Sequence, residues 1–164
     1  MRCLYIHGMN DTVQSGQLES MRSCNLEVYA LHLDYGLGNE FETLANYCET
    51  MKIEFLVGHS YGGFLSYWLG EHLGIPCLNI NPLLSVRLKK KMQPPIKQRK
   101  CPICLTVVGE NDEIVDPVQT LKHLSTEENS PKIMKTKLLK GCGHVLSQEL
   151  FEEQIAWAID EIKT

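Results

Sequence analysis

Short apolar runs alternate with longer mixed stretches along nearly the whole chain. Of the runs Cys3–Ile6, Leu26–Leu31, Ile53–Val57, Cys77–Ile80, Ile103–Val108 and Ile133–Leu138, most are rich in Val, Ile, Leu, Cys and aromatic residues. Most are bounded by Gly, Pro, Asn or Asp, and each predicts a strand. Between them the apolar spacing changes. Phe41, Leu44, Ala45 and Cys48 fall at i, i+3, i+4 and i+7 and share one helical face, with Asn39 as the expected N-cap and Glu42 three residues on. Phe64, Leu65, Trp68, Leu69 and Leu73 repeat the pattern up to Gly74-Ile75-Pro76, which should stop that helix. A last helix should bury Leu150, Phe151, Ile155, Ala158, Ile159 and Ile162, with Ser147 as N-cap and Leu146 and Phe151 as a hydrophobic staple.

Strand and helix in alternation predict βαβ units, and so an α/β fold: a three-layer α/β/α sandwich around a mostly parallel sheet of about six strands. No repeat, low-complexity tract or second domain interrupts residues 1–164, which read as one domain. One segment breaks the rhythm. Asn81–Lys100 holds Pro82, Pro94 and Pro95 together with Arg87, Lys89, Lys90, Lys91, Lys97, Arg99 and Lys100. It reads as an exposed basic insertion, at about 81–102, between the fourth and fifth strands.

Composition narrows the class. With 164 residues, 43% of them hydrophobic, a domain can bury about 70% of the surface its unfolded chain exposes, without a metal or disulfide staple. A formal net charge of -4 is too mild to make nucleic acid or an anionic membrane the main partner. No apolar run reaches the roughly 18 residues of a membrane span. The N-terminus lacks the apolar stretch and cleavage site of a signal peptide and reads as a strand. Seven scattered cysteines do not form a disulfide framework. A reducing cytoplasm is the expected location.

The chemistry begins at Gly58-His59-Ser60-Tyr61-Gly62, between a predicted strand and a predicted helix. A serine there sits on a strained turn that lifts its hydroxyl above the sheet, with glycines relieving the crowding on either side. The helix start behind Ser60 offers free N–H groups to a developing negative charge. A serine hydroxyl needs a base that a third group orients. Val108-Gly109-Glu110-Asn111-Asp112 follows the fifth strand, and Gly141-Cys142-Gly143-His144 follows the sixth. Asp112 and His144 should therefore lie at the carboxyl edge of the sheet with Ser60, where open parallel sheets bind ligands. Taken singly, either could be an ordinary turn residue, and Asp116 before Pro117 reads as a turn former or cap. His32, His72 and His123 read as structural or exposed, and His59 as pointing away from the serine's chemistry.

These segments, with Tyr5-Ile6-His7-Gly8-Met9, resemble the α/β-hydrolase superfamily, and within it the short, lid-poor YqiA-type bacterial esterases. The resemblance spans nearly the whole chain, with two edge strands absent and the cap reduced to 81–100 at most. It implies a truncated α/β-hydrolase fold with Ser60 as nucleophile, His144 as general base and acid, and Asp112 as the orienting carboxylate. It also implies that the backbone N–H groups of Met9 and Tyr61 form the oxyanion hole. Asn10 and Asp11 are candidates for the pocket lining, and His7 reads as a turn residue that bonds the loop.

The function so implied is hydrolysis of a small carboxylic ester or thioester through an acyl-enzyme, with no cofactor and no metal. A silent binding protein of the same fold and an acyltransferase using the same residues are the alternatives. Cys101-Pro102-Ile103-Cys104 has redox or zinc spacing but runs into a strand, and core cysteine is the better reading. Cys142 reads as a loop residue. The basic cluster at 87–100 is either a solvated face or a hold for an anionic part of the substrate.

Overall fold

The computed structural model describes residues 1–9, 11–85, 101–126 and 133–164. Its strands are β1 (Arg2–Ile6), β2 (Glu27–Ala30), β3 (Phe55–His59), β4 (Cys77–Ile80), β5 (Ile103–Gly109) and β6 (Ile133–Leu139). Its helices are α1 (Ser15–Ser23), α2 (Glu40–Met51), α3 (Tyr61–Leu73), α4 (Pro117–Ser125) and α5 (Gln148–Lys163). The strands form one sheet in the order β2-β1-β3-β4-β5-β6, and every neighbouring pair is parallel. Strand order reverses between β1 and β3, where a crevice opens at the carboxyl edge.

Side chains alternate across the sheet and divide the interior in two. Leu4, Ile6, Leu56, Cys77 and Cys104 pack with Leu44, Trp68 and Leu124 from α2, α3 and α4. Cys3, Tyr5, Phe55, Val57, Leu78, Leu105 and Val107 pack on the other face with Met21 of α1 and Phe151, Ile155, Ala158 and Ile159 of α5. The period-2 alternation of a strand thus feeds two cores, which accounts for nearly unbroken apolar runs.

All six strands lie where the apolar runs predict them, within two residues at each end. The largest shift is at β3. Lys52 ends α2 in a left-handed conformation, φ 54°, and the Ile53 N–H turns back to the Cys48 carbonyl, so pairing starts later. It then runs on through Gly58 and His59, which pair with Asn79 and Ile80 of β4.

Four expectations need adjustment. Asn39 occupies the N-cap of α2, yet its side chain makes no capping bond. Helix α3 is buried on all sides from Tyr61 to Glu71, not along one face, and Leu73 is only half-buried. It runs between the sheet, α2 and α4, and small residues (Gly62, Gly63, Ser66, Gly70) allow the close approach. Helix α1 has no clear periodicity in the sequence, since Leu18 and Met21 are the only apolar side chains on its inner face. Finally, the stretch from Asn81 is not exposed at its start: Asn81, Pro82 and Leu84 are buried, because Leu83 N–H bonds Ser60 O and Thr120 Oγ1 donates to the Pro82 and Leu84 carbonyls. Residues 86–100, with the whole basic cluster, lie outside the described residues. Ser147 caps α5 as expected, accepting from Leu150 N–H at 3.3 Å. Asp116 caps α4 by accepting from Val118 N–H, with Pro117 at the first helical position. Among the described residues no helix is long and apolar enough to cross a membrane.

Among the described glycines the least room for a side chain is at Gly62, where an added Cβ would lie 2.1 Å from the Ile6 carbonyl oxygen and 2.5 Å from that of His7. Both neighbours are backbone, so neither can swing aside. Gly62→Ala should therefore lower stability by about 1–3 kcal/mol or more, read as a lower urea midpoint with an unchanged m-value.

Candidate active site

Ser60 stands between β3 and α3 with φ 58° and ψ −119°, a conformation that side-chain-bearing residues rarely adopt and that costs on the order of 1–3 kcal/mol. The surroundings impose it. Ser60 N–H donates to the Ile80 carbonyl at 3.0 Å, and Ser60 O accepts from Phe64 N–H at 3.1 Å and Leu83 N–H at 3.0 Å. Glycines make the turn sterically possible: a Cβ on Gly58 would lie 2.2 Å from Gly62 O, and one on Gly8 would lie 3.2 Å from Ser60 Cβ. The outcome is a partly exposed serine at the head of α3, above the point where strand order reverses.

Asp112 follows β5 and is almost wholly enclosed, its side chain 1% exposed. Its Oδ1 accepts the N–H groups of Ile114 and Val115, both at 2.8 Å. That double bond to backbone fixes the carboxylate plane and leaves Oδ2 for His144 Nδ1, 2.8 Å away. Facing a carboxylate, Nδ1 carries the hydrogen, and Nε2 of the neutral ring keeps its lone pair. The two loops are also joined through backbone. Asn111 N–H donates to the Cys142 carbonyl at 2.8 Å, and Glu110 Oε2 accepts from Gly141 N–H at 3.0 Å. Gly109 is required at their junction, since a Cβ there would come within 2.5 Å of Gly143 O.

Two residues that the motifs did not mark as functional complete the arrangement. His59, buried beside Ser60, donates Nε2–H to the His144 carbonyl at 2.9 Å, and the two imidazoles lie 4.7 Å apart. Asn81 bridges the turns after β5 and β6. The only trace of it in the sequence is an Asn-Pro pair at the end of a strand.

Of the expected oxyanion donors, Tyr61 is the first residue of α3, so its N–H has no acceptor one turn back in the helix. Met9 is exposed and follows Gly8, which lies against Ser60; β1 and β3 are neighbours through Ile6 and Gly58. His7 secures this turn. Its Nδ1 donates to Gly8 O at 2.8 Å, and its Nε2 accepts from Leu33 N–H at 3.1 Å. Asp11 lines two cavities. One, about 660 Å³, is bounded by His7, Met9, His32 and Tyr35; the other, about 380 Å³, by His59, Val145, Leu146 and Phe151. Asn10 lies outside the described residues. Cys101 and Cys104 are buried in the core, and Cys142 is a half-buried loop residue.

No protein-family model matches the chain, and no curated protein is detectably similar to it in sequence. Solved structures are similar in fold. The SOBER1 F65L variant of Arabidopsis thaliana aligns over 99% of this chain and 100% of its own, with a TM-score of 0.72 and 15% identity. A monoacylglycerol lipase of Paleococcus ferrophilus aligns over 97% and 94%, with a TM-score of 0.75 and 14% identity. A predicted CIB-like hydrolase of Thermoplasma acidophilum aligns over 98% and 85%, with a TM-score of 0.68 and 18% identity. The chain has the α/β-hydrolase fold.

Burial pushes the His59 imidazole below the usual histidine value, so the folded state takes up this proton less readily than the unfolded chain. The stability involved is intact above the unfolded value of about 6.5 and is lost as pH falls from there through the depressed folded value. Urea denaturation at pH 7.5 and pH 5.0 should show a larger acid loss for wild type than for His59→Gln, whose amide has no proton to gain.

Proposed function

We propose that the chain is a serine hydrolase that cleaves small carboxylic esters or thioesters through an acyl-enzyme intermediate. The observation that carries this reading is the 2.8 Å bond between His144 Nδ1 and Asp112, with Nε2 left basic, on the sheet edge that also bears the strained Ser60. Strain at one residue acquires functional meaning when its neighbours can use the side chain it lifts. The neighbours in fold include proteins described as a lipase and a hydrolase.

In this mechanism Ser60 Oγ attacks the substrate carbonyl while His144 Nε2 takes its proton. Asp112 keeps Nδ1–H aimed and stabilises the imidazolium, its own charge held by two backbone N–H groups. The N–H groups of Met9 and Tyr61 receive the oxyanion; one such donor is worth about 2.7–4 kcal/mol of transition-state stabilisation. His144 then protonates the departing alcohol or thiol, and water releases the acid by the same steps in reverse roles. The two cavities that meet at Asp11 are the candidate subsites for the two arms of a small substrate. We assign residues 1–164 to a single catalytic domain. All seven cysteines are free, which suits a reducing, cytoplasmic setting.

A fluorophosphonate probe should label wild-type protein on Ser60, and Ser60→Ala should take no label. Hydrolysis of p-nitrophenyl acetate and butyrate should fall about 10⁴-fold or more in Ser60→Ala and His144→Ala, and about 10⁴-fold in Asp112→Asn, where the wrong tautomer is held. Folded wild-type protein that neither labels nor hydrolyses short acyl esters or thioesters would favour a silent binding protein.

A further inference from the structure

The geometry points to Asn81 as a positioning residue for His144, holding its backbone carbonyl while Asp112 holds its ring, with His59 as a second support. This rests on the reading of His144 as the base. Asn81 directly follows β4 with φ 45°, a left-handed conformation that asparagine tolerates better than most residues. It is 1% exposed, and every hydrogen-bonding group of its carboxamide is engaged. Oδ1 accepts from Gly109 N–H at 2.7 Å. Nδ2 donates to Gly143 O at 3.1 Å and to His144 O at 2.7 Å. Its backbone N–H donates to Val107 O at 2.8 Å.

The direction of these bonds separates positioning from ordinary sheet closure. Strands β4 and β6 are not neighbours, because β5 lies between them. The β4–β5 ladder extends to Ile80 and Val107 through backbone alone. The carboxamide instead reaches across the end of β5 to the loop that follows β6. The two turns lie close enough for this because Gly109 has no side chain: a Cβ there would lie 2.5 Å from Gly143 O and 2.7 Å from Cys142 O. One buried side chain thus binds the strand end that leads to Asp112 and the loop that carries His144. The His144 carbonyl has two lone pairs and receives two donors, Asn81 Nδ2 at 2.7 Å and His59 Nε2 at 2.9 Å. Holding that carbonyl fixes the rotation of the 144–145 peptide and hence the direction of the imidazole. Asp112 then fixes the ring's remaining rotation. Reacting groups must be held within roughly 0.5 Å of productive geometry, so freeing either end should slow the chemistry and leave binding alone.

The test uses Asn81→Gly, which keeps the left-handed backbone accessible while removing the carboxamide. Its kcat on p-nitrophenyl butyrate should fall about 10–100-fold with KM within about twofold, the scale of a 1 Å misplacement of a reacting group. A second readout does not need turnover: the low-field proton resonance of His144 Nδ1–H, assigned by its loss in His144→Gln. It should be sharp in wild type and broadened by solvent exchange in folded Asn81→Gly. Should Asn81→Gly fail to fold, His59→Phe, which keeps a ring but has no donor, should lower kcat at unchanged KM. A folded Asn81→Gly, or a folded His59→Phe where Asn81→Gly does not fold, with wild-type kcat and a sharp resonance overturns the proposal. An inactive wild type with a resonance that still broadens in Asn81→Gly overturns the hydrolase reading and supports the positioning of His144.

Discussion

The site depends first on how closely β1, β3 and the start of α3 can approach one another. A Cβ on Gly58 would lie 2.2 Å from Gly62 O, and one on Gly62 would lie 2.1 Å from Ile6 O. These are backbone contacts, so the fold admits no larger residue at either position without moving a strand or the helix. With the strand and helix drawn that close, the chain between them has no room for a relaxed turn, and Ser60 takes φ 58°. The hydroxyl is lifted out of the sheet as a consequence of packing, and its exposure is maintained by the same core that stabilises the domain. The strain at Ser60 is offset by its surroundings: its N–H and carbonyl together make three backbone bonds, to β4, to α3 and to the chain after β4.

A second constraint follows from the parallel sheet. All six strands run the same way, so the loops after β1, β3, β4, β5 and β6 collect at one edge. Polar groups on those loops must find partners in a small space, and they find one another. Asp112 takes two backbone N–H groups and one imidazole, His59 takes the His144 carbonyl, and Asn81 joins two turns. These bonds hold the loops together, and removing one partner leaves a buried polar group with a desolvation cost; His59 Nδ1 already lacks a partner among the described residues. Burial favours the neutral state of His59, which keeps a positive charge from building up beside His144.

Most of the fold was legible because it follows from local periodicity. The inner strands, buried on both faces, leave nearly continuous apolar runs, and the edge strands β2 and β6, half-buried or exposed, show as shorter or mixed ones. The turn at Ser60 and the loops bearing Asp112 and His144 were legible because each follows directly on a strand end. What escaped lies in two physical classes. Helix α1 presents only two apolar side chains inward, Leu18 and Met21, too few for a period to emerge, and Asn39 sits at a helix start without using its side chain. The role of residues 81–85 escaped for a different reason. Prolines and lysines downstream made the whole segment look solvated, whereas its first residues pack against Ser60, Gly63 and Thr120. Composition averaged over twenty residues hid a change from buried to polar within five.

Asn81 shows why such a residue is hard to see in advance. Its bonds go to backbone groups of Gly109, Gly143 and His144, and backbone partners leave no trace in side-chain identity. The signal the sequence does carry is Gly109: a Cβ there would lie 2.5 Å from Gly143 O and 2.7 Å from Cys142 O, so the turns after β5 and β6 lie close enough for one carboxamide to reach both. At Gly58, Gly62 and Gly109 alike, a glycine marks where two stretches of main chain touch, and a buried polar side chain beside such a contact is the one placed to tie the two turns together.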